Sequence, residues 1–232
     1  MSQVAHMLGV SPVTARRYIR QLAAAGKLQK IRNGCTKIAA NNFHEWSSFN
    51  INTSHNYEEK RRIAMAAAAL CDDGDSVIIN CGSTAFLLGQ EICGKNIRVV
   101  TNYFPLLKFL IEHHVRGATI VIGGQFYPEK NLFITNDLHH NQIYAGKYMF
   151  TSGSGLTEQG LFKSDLLSLL AEQKLIPQVQ KLVCLVDSEK IGSRQGQLFV
   201  PAPNIDILIT GKNADPRVIA ALKVQGVEVI TV

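Results

Sequence analysis

Residues 77–84 read VIINCGST, and this stretch decides how the chain around it is interpreted. Three β-branched apolar residues before a polar, glycine-containing corner predict a buried strand that ends in a tight loop. Residues 85–90 are mostly apolar and predict a helix that begins at the loop. Free N–H groups at the helix start, with the hydroxyls of Ser83 and Thr84, would form an anion site. An ordinary strand-to-helix turn capped by Ser83 is the alternative interpretation.

Composition indicates a well-packed globular protein. The 232 residues are 46% hydrophobic, which is enough for one full domain and a small second one. No apolar run is long enough to span a membrane, so we expect no membrane partner. The cysteines show no metal-ligand spacing, which predicts free thiols in a reducing cytoplasm, no metal and no cofactor. They are Cys35, Cys71, Cys81, Cys93 and Cys184.

Charge is distributed unevenly along the chain. Residues 1–40 contain seven of the 24 Lys and Arg residues and none of the 18 Asp and Glu residues. The net charge of +6 therefore comes entirely from these forty residues. A solvated basic face is the usual explanation of a charge run, but forty residues without an acid favour contact with nucleic acid.

Two helices are predicted at the N-terminus. Residues 2–8 form a short helix that Gly9 ends, and Ser11-Pro12 is a strong start signal for a second helix that runs to about Ala24. Its inward stripe is predicted to consist of Ala15, Ile19, Leu22 and Ala23. This arrangement is typical of a helix-turn-helix motif. A basic amphipathic helix packed on its own domain is the alternative.

A hairpin is predicted directly after the second helix. Asn33-Gly34 favours a tight turn between residues 27–31 and 35–39, which would form a wing beside the helix. Lysines on a wing would contact phosphates, which position a protein without reading sequence. The residues expected to contact double-stranded operator DNA are Ser11, Val13, Thr14, Arg16, Arg17, Arg20, Lys27, Lys30 and Arg32.

Residues 11–17, SPVTARR, together with Gly26-Lys27-Leu28 and the Asn33-Gly34 turn, resemble the winged-helix half of the DeoR family of bacterial regulators. The chain departs from the family pattern at Tyr18, where the family usually has Asp. Residue 1 also falls at the start of the second family helix, so the resemblance implies a DNA-binding domain without its first helix. We expect that domain over residues 1–40, a polar linker over 41–53 and a sensor domain over 54–232.

The sensor region has an α/β pattern. A long helix capped by Ser54 and continuing to Leu70 precedes strands and helices that alternate, which predicts an α/β layered domain with a mostly parallel sheet. The predicted strands are 77–80, 97–100, 118–122, 147–151, 181–186, 205–210 and 227–231, and the predicted helices between them are 84–91, 104–113, 165–175 and 215–224.

Polar and small residues follow five of these strands. Carboxyl ends of parallel strands meet at one edge of the sheet, where α/β proteins bind ligands. Donor groups are many and acids are few there, which favours an anionic ligand. Asp187 and Lys190 would suit sugar hydroxyls or would simply cap a helix. The expected effector-binding residues are Asn80, Cys81, Gly82, Ser83, Thr84, Thr101, Asn102, Gly123, Gly124, Ser152, Gly153, Asp187 and Lys190.

These positions are also similar to the sensor half of the DeoR family, with Asn80 where its Asp-x-Gly-Ser/Thr-Thr loop has Asp. That resemblance implies a fold shared with ribose-5-phosphate and glucosamine-6-phosphate isomerases. Residues 80–89, 149–153 and 209–214 resemble the branch that represses L-ascorbate utilisation. The resemblance implies L-ascorbate 6-phosphate as a phosphorylated sugar effector, and a homo-oligomer (dimer or tetramer) whose state changes with the ligand.

A sugar-phosphate isomerase is the competing hypothesis. It needs a carboxylate or His that moves a proton between adjacent carbons. Glu158, Asp165, Glu172 and Asp187 are available, but their spacing identifies no catalytic pair. The basic first forty residues would have no purpose in an isomerase. The sequence therefore favours a regulator without catalytic residues, or a regulator of the same family that responds to another sugar phosphate.

Overall fold

The computed structural model describes residues 2–24, 28–31, 34–36, 54–113, 116–135 and 144–232. The chain divides into two compact units, residues 1–49 and 50–232. The linker expected over residues 41–53 lies outside the described residues.

The first unit contains the predicted helix-turn-helix and hairpin. Helix α1 spans Ser2–Met7 and α2 spans Pro12–Ala24, and strands β1 (Gln29–Ile31) and β2 (Gly34–Thr36) pair antiparallel. Gly9 turns the chain between the helices with φ +61°, a region that glycine enters without strain. Ser11 caps α2 as expected, since its Oγ accepts a hydrogen bond from the Thr14 N–H at 3.1 Å.

The predicted inward stripe of α2 is only partly buried. Ala15 and Ile19 of the stripe are buried, and so is Ala5 of α1. Leu22 is 41% exposed, so the prediction for Leu22 is wrong. The six residues of α1 span about 9 Å and the thirteen of α2 about 20 Å, because an α-helix rises about 1.5 Å per residue. A helix as short as α1 cannot cover the whole inner face of α2.

The second unit begins with α3 at Tyr57–Ala69. Its N-cap is Asn56 in the left-handed region (φ 56°), not Ser54 as the sequence predicts, and no side chain caps this helix. The remaining strands are β3 (Ser76–Ile79), β4 (Arg98–Thr101), β5 (Thr119–Val121), β6 (Gln125–Tyr127), β7 (Leu132–Ile134), β8 (Gly146–Thr151), β9 (Gly155–Thr157), β10 (Gly160–Lys163), β11 (Val179–Leu185), β12 (Gln197–Pro201), β13 (Ile207–Thr210) and β14 (Glu228–Thr231). The remaining α-helices are α4 (Ser83–Glu91), α5 (Phe104–Glu112), α6 (Leu166–Gln173) and α7 (Pro216–Val224).

Within the described residues, seven strands form one parallel sheet in the order β14-β13-β11-β8-β3-β4-β5. The predicted α/β class with a parallel sheet is confirmed. The buried parts of its central strands are mainly apolar, because both faces of the sheet are covered there. Ile78, Met149 and Leu208 are fully buried and belong to one core cluster. The five strands with polar loops, β11, β8, β3, β4 and β5, are neighbours, so the loops do lie along one edge of the sheet.

Two small antiparallel structures lie beyond the sequence predictions. Strands β6 and β7 form a hairpin, and β9, β10 and β12 form a three-stranded sheet in the order β12-β10-β9. No strand was predicted from the sequence in any of these segments. Both structures determine which strand ends stay open to a ligand.

Membrane-spanning helices, metal-ligand clusters and disulfide bonds are absent from the described residues. No helix there combines the length and apolar character needed to cross a bilayer. No group of three or more His, Cys, Asp or Glu residues there could hold a metal ion. The five cysteines are free thiols.

Candidate functional site

A cavity of about 250 Å³ opens at the carboxyl ends of β3 and β8. Its walls come from the loop after β3, the loop after β8, the end of β10, the start of α6 and the turn after β11. The lining residues are Cys81, Gly82, Ser83, Thr84, Ser152, Gly153, Ser154, Lys163, Ser164, Asp165, Ser168 and Lys190.

The start of α4 supplies one wall of this cavity. Gly82 is the N-cap with φ +132°, and a Cβ there would overlap the Oγ of Ser152. Glycine is therefore needed both for the backbone conformation and for the close approach of the two loops. No side chain caps α4, so N–H groups of its first turn remain for a ligand. The alternative in which Ser83 is the cap is wrong, because Ser83 is the first helical residue.

Lys163, which lines the cavity, forms a buried ion pair with Glu172 behind the wall. Lys163 is 6% exposed and Glu172 is fully buried. The Lys163 ammonium also donates to Thr151 Oγ1 at 2.8 Å and lies 4.6 Å from the centre of the Phe199 ring. Two unpaired charges at this depth would be very costly, so each stabilises the other.

Three further donors hold the Glu172 carboxylate. Asn80 Nδ2 donates at 2.8 Å and Thr151 Oγ1 at 3.0 Å to Oε2, and Cys81 Sγ donates at 3.3 Å to Oε1. Burial first, and then the adjacent Glu172 carboxylate, raise the pKa of the Cys81 thiol to about 12. The thiol is thus protonated at neutral pH and acts as a donor rather than a nucleophile.

Asp165 forms part of the rim and caps α6. Its Oδ1 accepts hydrogen bonds from the Ser168 N–H at 2.8 Å and from Ser168 Oγ at 2.7 Å, and its Oδ2 lies 2.6 Å from Lys130 Nζ. Burial alone would raise the pKa of Asp165, but Lys130 and Ser168 outweigh it and lower that pKa. Asp165 is therefore ionised and already paired. Lys130 belongs to the turn between β6 and β7, so the hairpin is tied to the rim.

Seven predicted effector residues line the cavity: Cys81, Gly82, Ser83, Thr84, Ser152, Gly153 and Lys190. Asn80 and Asp187 do not line it. Both are buried and hold residues that do, since Asn80 donates to Glu172 beneath Cys81 and Asp187 pairs with Lys190 at 3.0 Å.

The other four predicted effector residues, Thr101, Asn102, Gly123 and Gly124, lie apart from the cavity. The β6–β7 hairpin packs on two of them. The Phe133 N–H donates to the Asn102 carbonyl at 2.9 Å, and a Cβ on Gly124 would overlap the Ile134 carbonyl group. The four residues therefore do not line this cavity, and their part in effector binding stays a prediction.

The predicted effector set lacks six residues from the loop after β8 and from the β10–α6 region, although Asp165 and Glu172 were named as carboxylates available to an isomerase. These are Ser154, Lys163, Ser164, Asp165 and Ser168 on the cavity wall, with Glu172 behind them. A lysine at the end of the apolar run in Gly160–Lys163 was the available signal, because a lysine inside a core needs a charged partner. The partner, nine positions further on, is identified only by the folded structure.

The DNA-contacting residues predicted on α2 are arranged on its surface. Val13 is 75% exposed, Arg16, Arg17 and Arg20 are exposed, and the Arg17 guanidinium lies 5.6 Å from the centre of the Tyr18 ring. The Oγ of Ser11 lies 2.9 Å from Thr14 Oγ1 at the helix start. Lys27 and Arg32 lie outside the described residues, and Lys30 belongs to β1.

Two family models match the chain. The DeoR-like helix-turn-helix domain matches residues 1–40 and the DeoR C terminal sensor domain matches residues 55–212. The chain belongs to the DeoR family of transcriptional regulators, and the predicted combination of a winged helix-turn-helix with an α/β sensor domain is confirmed.

Individual relatives are similar over the whole length. The HTH-type transcriptional regulators UlaR of Escherichia coli (strain K12 / DH10B) and of Shigella flexneri are each 48% identical to this chain over 232 residues, which are 100% of this chain and 92% of each relative.

Solved structures with a similar fold are more distant. Ribose 5 phosphate isomerase A from Neisseria gonorrhoeae is 17% identical with a TM-score of 0.44, over 58% of this chain and 53% of that one. The eIF2B beta subunit from Chaetomium thermophilum is 14% identical with a TM-score of 0.46, over 65% and 48%. Similarity at this level does not indicate a shared activity.

Proposed function

We propose that this chain is a repressor of L-ascorbate utilisation genes that a phosphorylated sugar, L-ascorbate 6-phosphate, releases from its operator. The identity of 48% to the UlaR regulators supports the assignment to this branch of the family. In this proposal residues 1–40 contact DNA, residues 41–53 link, and residues 54–232 bind the effector.

The observation that carries the proposal is the concentration of N–H, ammonium and hydroxyl groups around one small cavity, where the Ser152, Ser154 and Ser168 hydroxyls donate within the protein and offer their oxygens as acceptors. The uncapped start of α4, the Lys190 ammonium and six hydroxyl groups surround a space of about 250 Å³. The hydroxyls belong to Ser83, Thr84, Ser152, Ser154, Ser164 and Ser168. A phosphate at the start of α4 would accept from backbone N–H groups and the Ser83 hydroxyl. The hydroxyls towards α6 would then bind the polyol part.

On the DNA side, α2 is the recognition helix of the proposal. Its exposed arginines and Val13 would face the major groove, where the recognition helix of a helix-turn-helix motif lies. Operator half-sites are read by two copies, so a homo-oligomer, dimer or tetramer, sets the spacing of two recognition helices. The effector changes that arrangement only through its difference in affinity for the two arrangements.

The cavity binds its ligand without turnover in this proposal. Glu172 is a fully buried carboxylate behind the cavity wall, both its oxygens accept hydrogen bonds, and it is paired with Lys163. A base in that state has little capacity to take a further proton. Incubation with ribose 5-phosphate should therefore give no ribulose 5-phosphate, and turnover would favour the isomerase alternative.

Isothermal titration calorimetry tests the proposal. The ligands are L-ascorbate 6-phosphate, ribose 5-phosphate and glucosamine 6-phosphate, and the proteins are the wild type, Lys190→Met and the control Lys174→Met. Lys174 is exposed and outside the cavity, so the control removes the same charge. We expect selective binding of the ascorbate phosphate, weakened at least about tenfold in Lys190→Met alone, as for one lost charged hydrogen bond.

Binding of a different sugar phosphate at this cavity would contradict the named effector and keep the class of regulator. Absence of binding for all three ligands would contradict the effector site.

A further inference from the structure

The turn after β11 connects the cavity to another part of the sensor unit. Residues Ser188–Lys190 form a 3-10 turn. At its end, Lys190 lines the cavity, and its ammonium lies 3.0 Å from Oδ2 of Asp187, which is 2% exposed. The position of the cavity lysine therefore depends on where this turn is held.

The start of α3 holds the turn from the other side. The Glu59 carboxylate accepts hydrogen bonds from the backbone N–H of Ser188 and from its hydroxyl, the latter at 2.9 Å. Asn56 Nδ2 donates to Asp187 Oδ1 at 3.5 Å, and His55 contacts the Glu189 carboxylate. Each of these pairs is separated by 129 residues or more in the chain. Together they join one helix start to one turn, residue by residue.

Packing leaves this contact little freedom. Gly211 lies so close to the Glu59 carboxylate that a Cβ would overlap it. Lys60, only 6% exposed, donates to the His55 carbonyl and closes the first turn of α3. Burial first, and then the nearby Lys190 charge, lower the pKa of Lys60. The start of α3 is thus packed against the ends of β11 and β13. The Lys190 charge acts electrostatically on Lys60 in the first turn of α3.

We propose that Glu59 and Asn56 are positioning residues that couple occupation of the cavity to the start of α3. This inference rests on the proposed function, because it needs an anionic effector beside Lys190. Such an effector gives the Lys190 ammonium a second anionic partner besides Asp187. The turn then takes a new position, and Ser188 transmits it to Glu59.

The location of α3 in the chain gives this contact its regulatory value. Helix α3 is the first described element after the segment that joins the sensor unit to the DNA-binding residues. A change at its first turn therefore acts on the end of that segment. The coupling has a defined start, Lys190, and a defined end, Glu59.

The test compares Glu59→Ala with the control Glu58→Ala. Both variants remove one carboxylate from the first turn of α3 and therefore have the same net charge. They differ because the Glu58 side chain is exposed, whereas Glu59 contacts Ser188. Calorimetry gives the effector Kd, and fluorescence anisotropy gives the Kd for a duplex selected from a random pool by the protein, with and without effector. Thermal melting shows that each variant is folded.

For Glu59→Ala we expect operator affinity without effector within about twofold of the wild type, and a factor of effector-induced release at least about fivefold smaller. Glu58→Ala should match the wild type in both. Glu59→Gln keeps an acceptor for the Ser188 N–H and should restore most of the release factor. This rescue separates positioning from a general loss of stability.

Wild-type release in Glu59→Ala would overturn the coupling, and so would an equal loss of operator binding without effector. If the wild type itself binds none of the three sugar phosphates, the proposed function fails first and the coupling fails with it. The two failures are distinguishable. Failure of the proposed function is already seen as absence of sugar-phosphate binding to the wild type, whereas failure of the coupling is seen only when Glu59→Ala is compared with the wild type.

Discussion

Ser83 is the residue at which the effector site is tested most simply. It lies at the first position of α4, is half-buried and lines the cavity, whereas Thr84 beside it is 2% exposed and also contributes to packing. Ser83→Ala should weaken effector binding about tenfold, because a hydrogen bond to a charged group is worth about 1.5–3 kcal/mol. Thr84→Ala should weaken it too, with an added loss of stability. Operator affinity without effector should stay unchanged, and an equal loss of both functions would contradict the assignment.

Lys163 and Glu172 are predicted to be coupled energetically. Lys163→Met or Glu172→Leu alone leaves one buried charge without its partner and should lower the free energy of unfolding by about 3–5 kcal/mol. The double variant should cost clearly less than the two single costs combined, since it leaves no unpaired charge. Urea unfolding followed by circular dichroism measures the three values. Additive costs would show that the two charges do not stabilise each other.

Some residues of the cavity could be predicted from the sequence and others could not. Cys81 to Thr84 follow an apolar run at once, so a local pattern was sufficient to predict them. Lys163 and Glu172 meet because β10 and α6 fold beside the end of β3, and no local pattern contains that information. Asn80 was predicted to bind the effector, and the structure places it behind the cavity wall, where its buried amide donates to Glu172.

At the scale of elements, α2 is predicted to read DNA through Arg17. If Arg17 contacts a base edge, Arg17→Ala should reduce the preference for operator over random duplex by about 1–3 kcal/mol. Anisotropy titrations of both duplexes at one salt concentration measure that preference. A fall of equal size on both duplexes would show that Arg17 contacts phosphate and reads no base.

The strands of the main sheet could be predicted, and the small antiparallel strands could not. Most strands of the main sheet contain an apolar run that precedes or follows a helix, and this β–α alternation predicts the parallel sheet. Strand β10 pairs instead with β12, where Gly160 lies opposite Pro201, and the partners of such short strands are set by tertiary contacts. The missed β6–β7 hairpin lies beside the ends of β4 and β5, where Thr101 and Gly124 are found outside the cavity.

At the scale of the whole molecule, charge and ligand chemistry are separated along the chain. The net charge of +6 belongs to the first forty residues, while the proposed effector cavity lies in a sensor region with nearly balanced charge. In the proposed function, electrostatic attraction to DNA and binding of a small anion therefore belong to different units. A ligand in the second unit can regulate the first only by changing the arrangement of the protein.

The most direct test of the account is the release of operator DNA by the effector. The measurement is the fluorescence anisotropy of a labelled duplex, selected from a random pool by the protein, during titration with L-ascorbate 6-phosphate. Ribose 5-phosphate at equal ionic strength is the control, because salt alone weakens binding to DNA. We expect the operator Kd to rise at least about tenfold with the ascorbate phosphate, within the usual range of allosteric coupling, and not with the control. An operator Kd that the ascorbate phosphate leaves unchanged, or that both ligands raise equally, would contradict it.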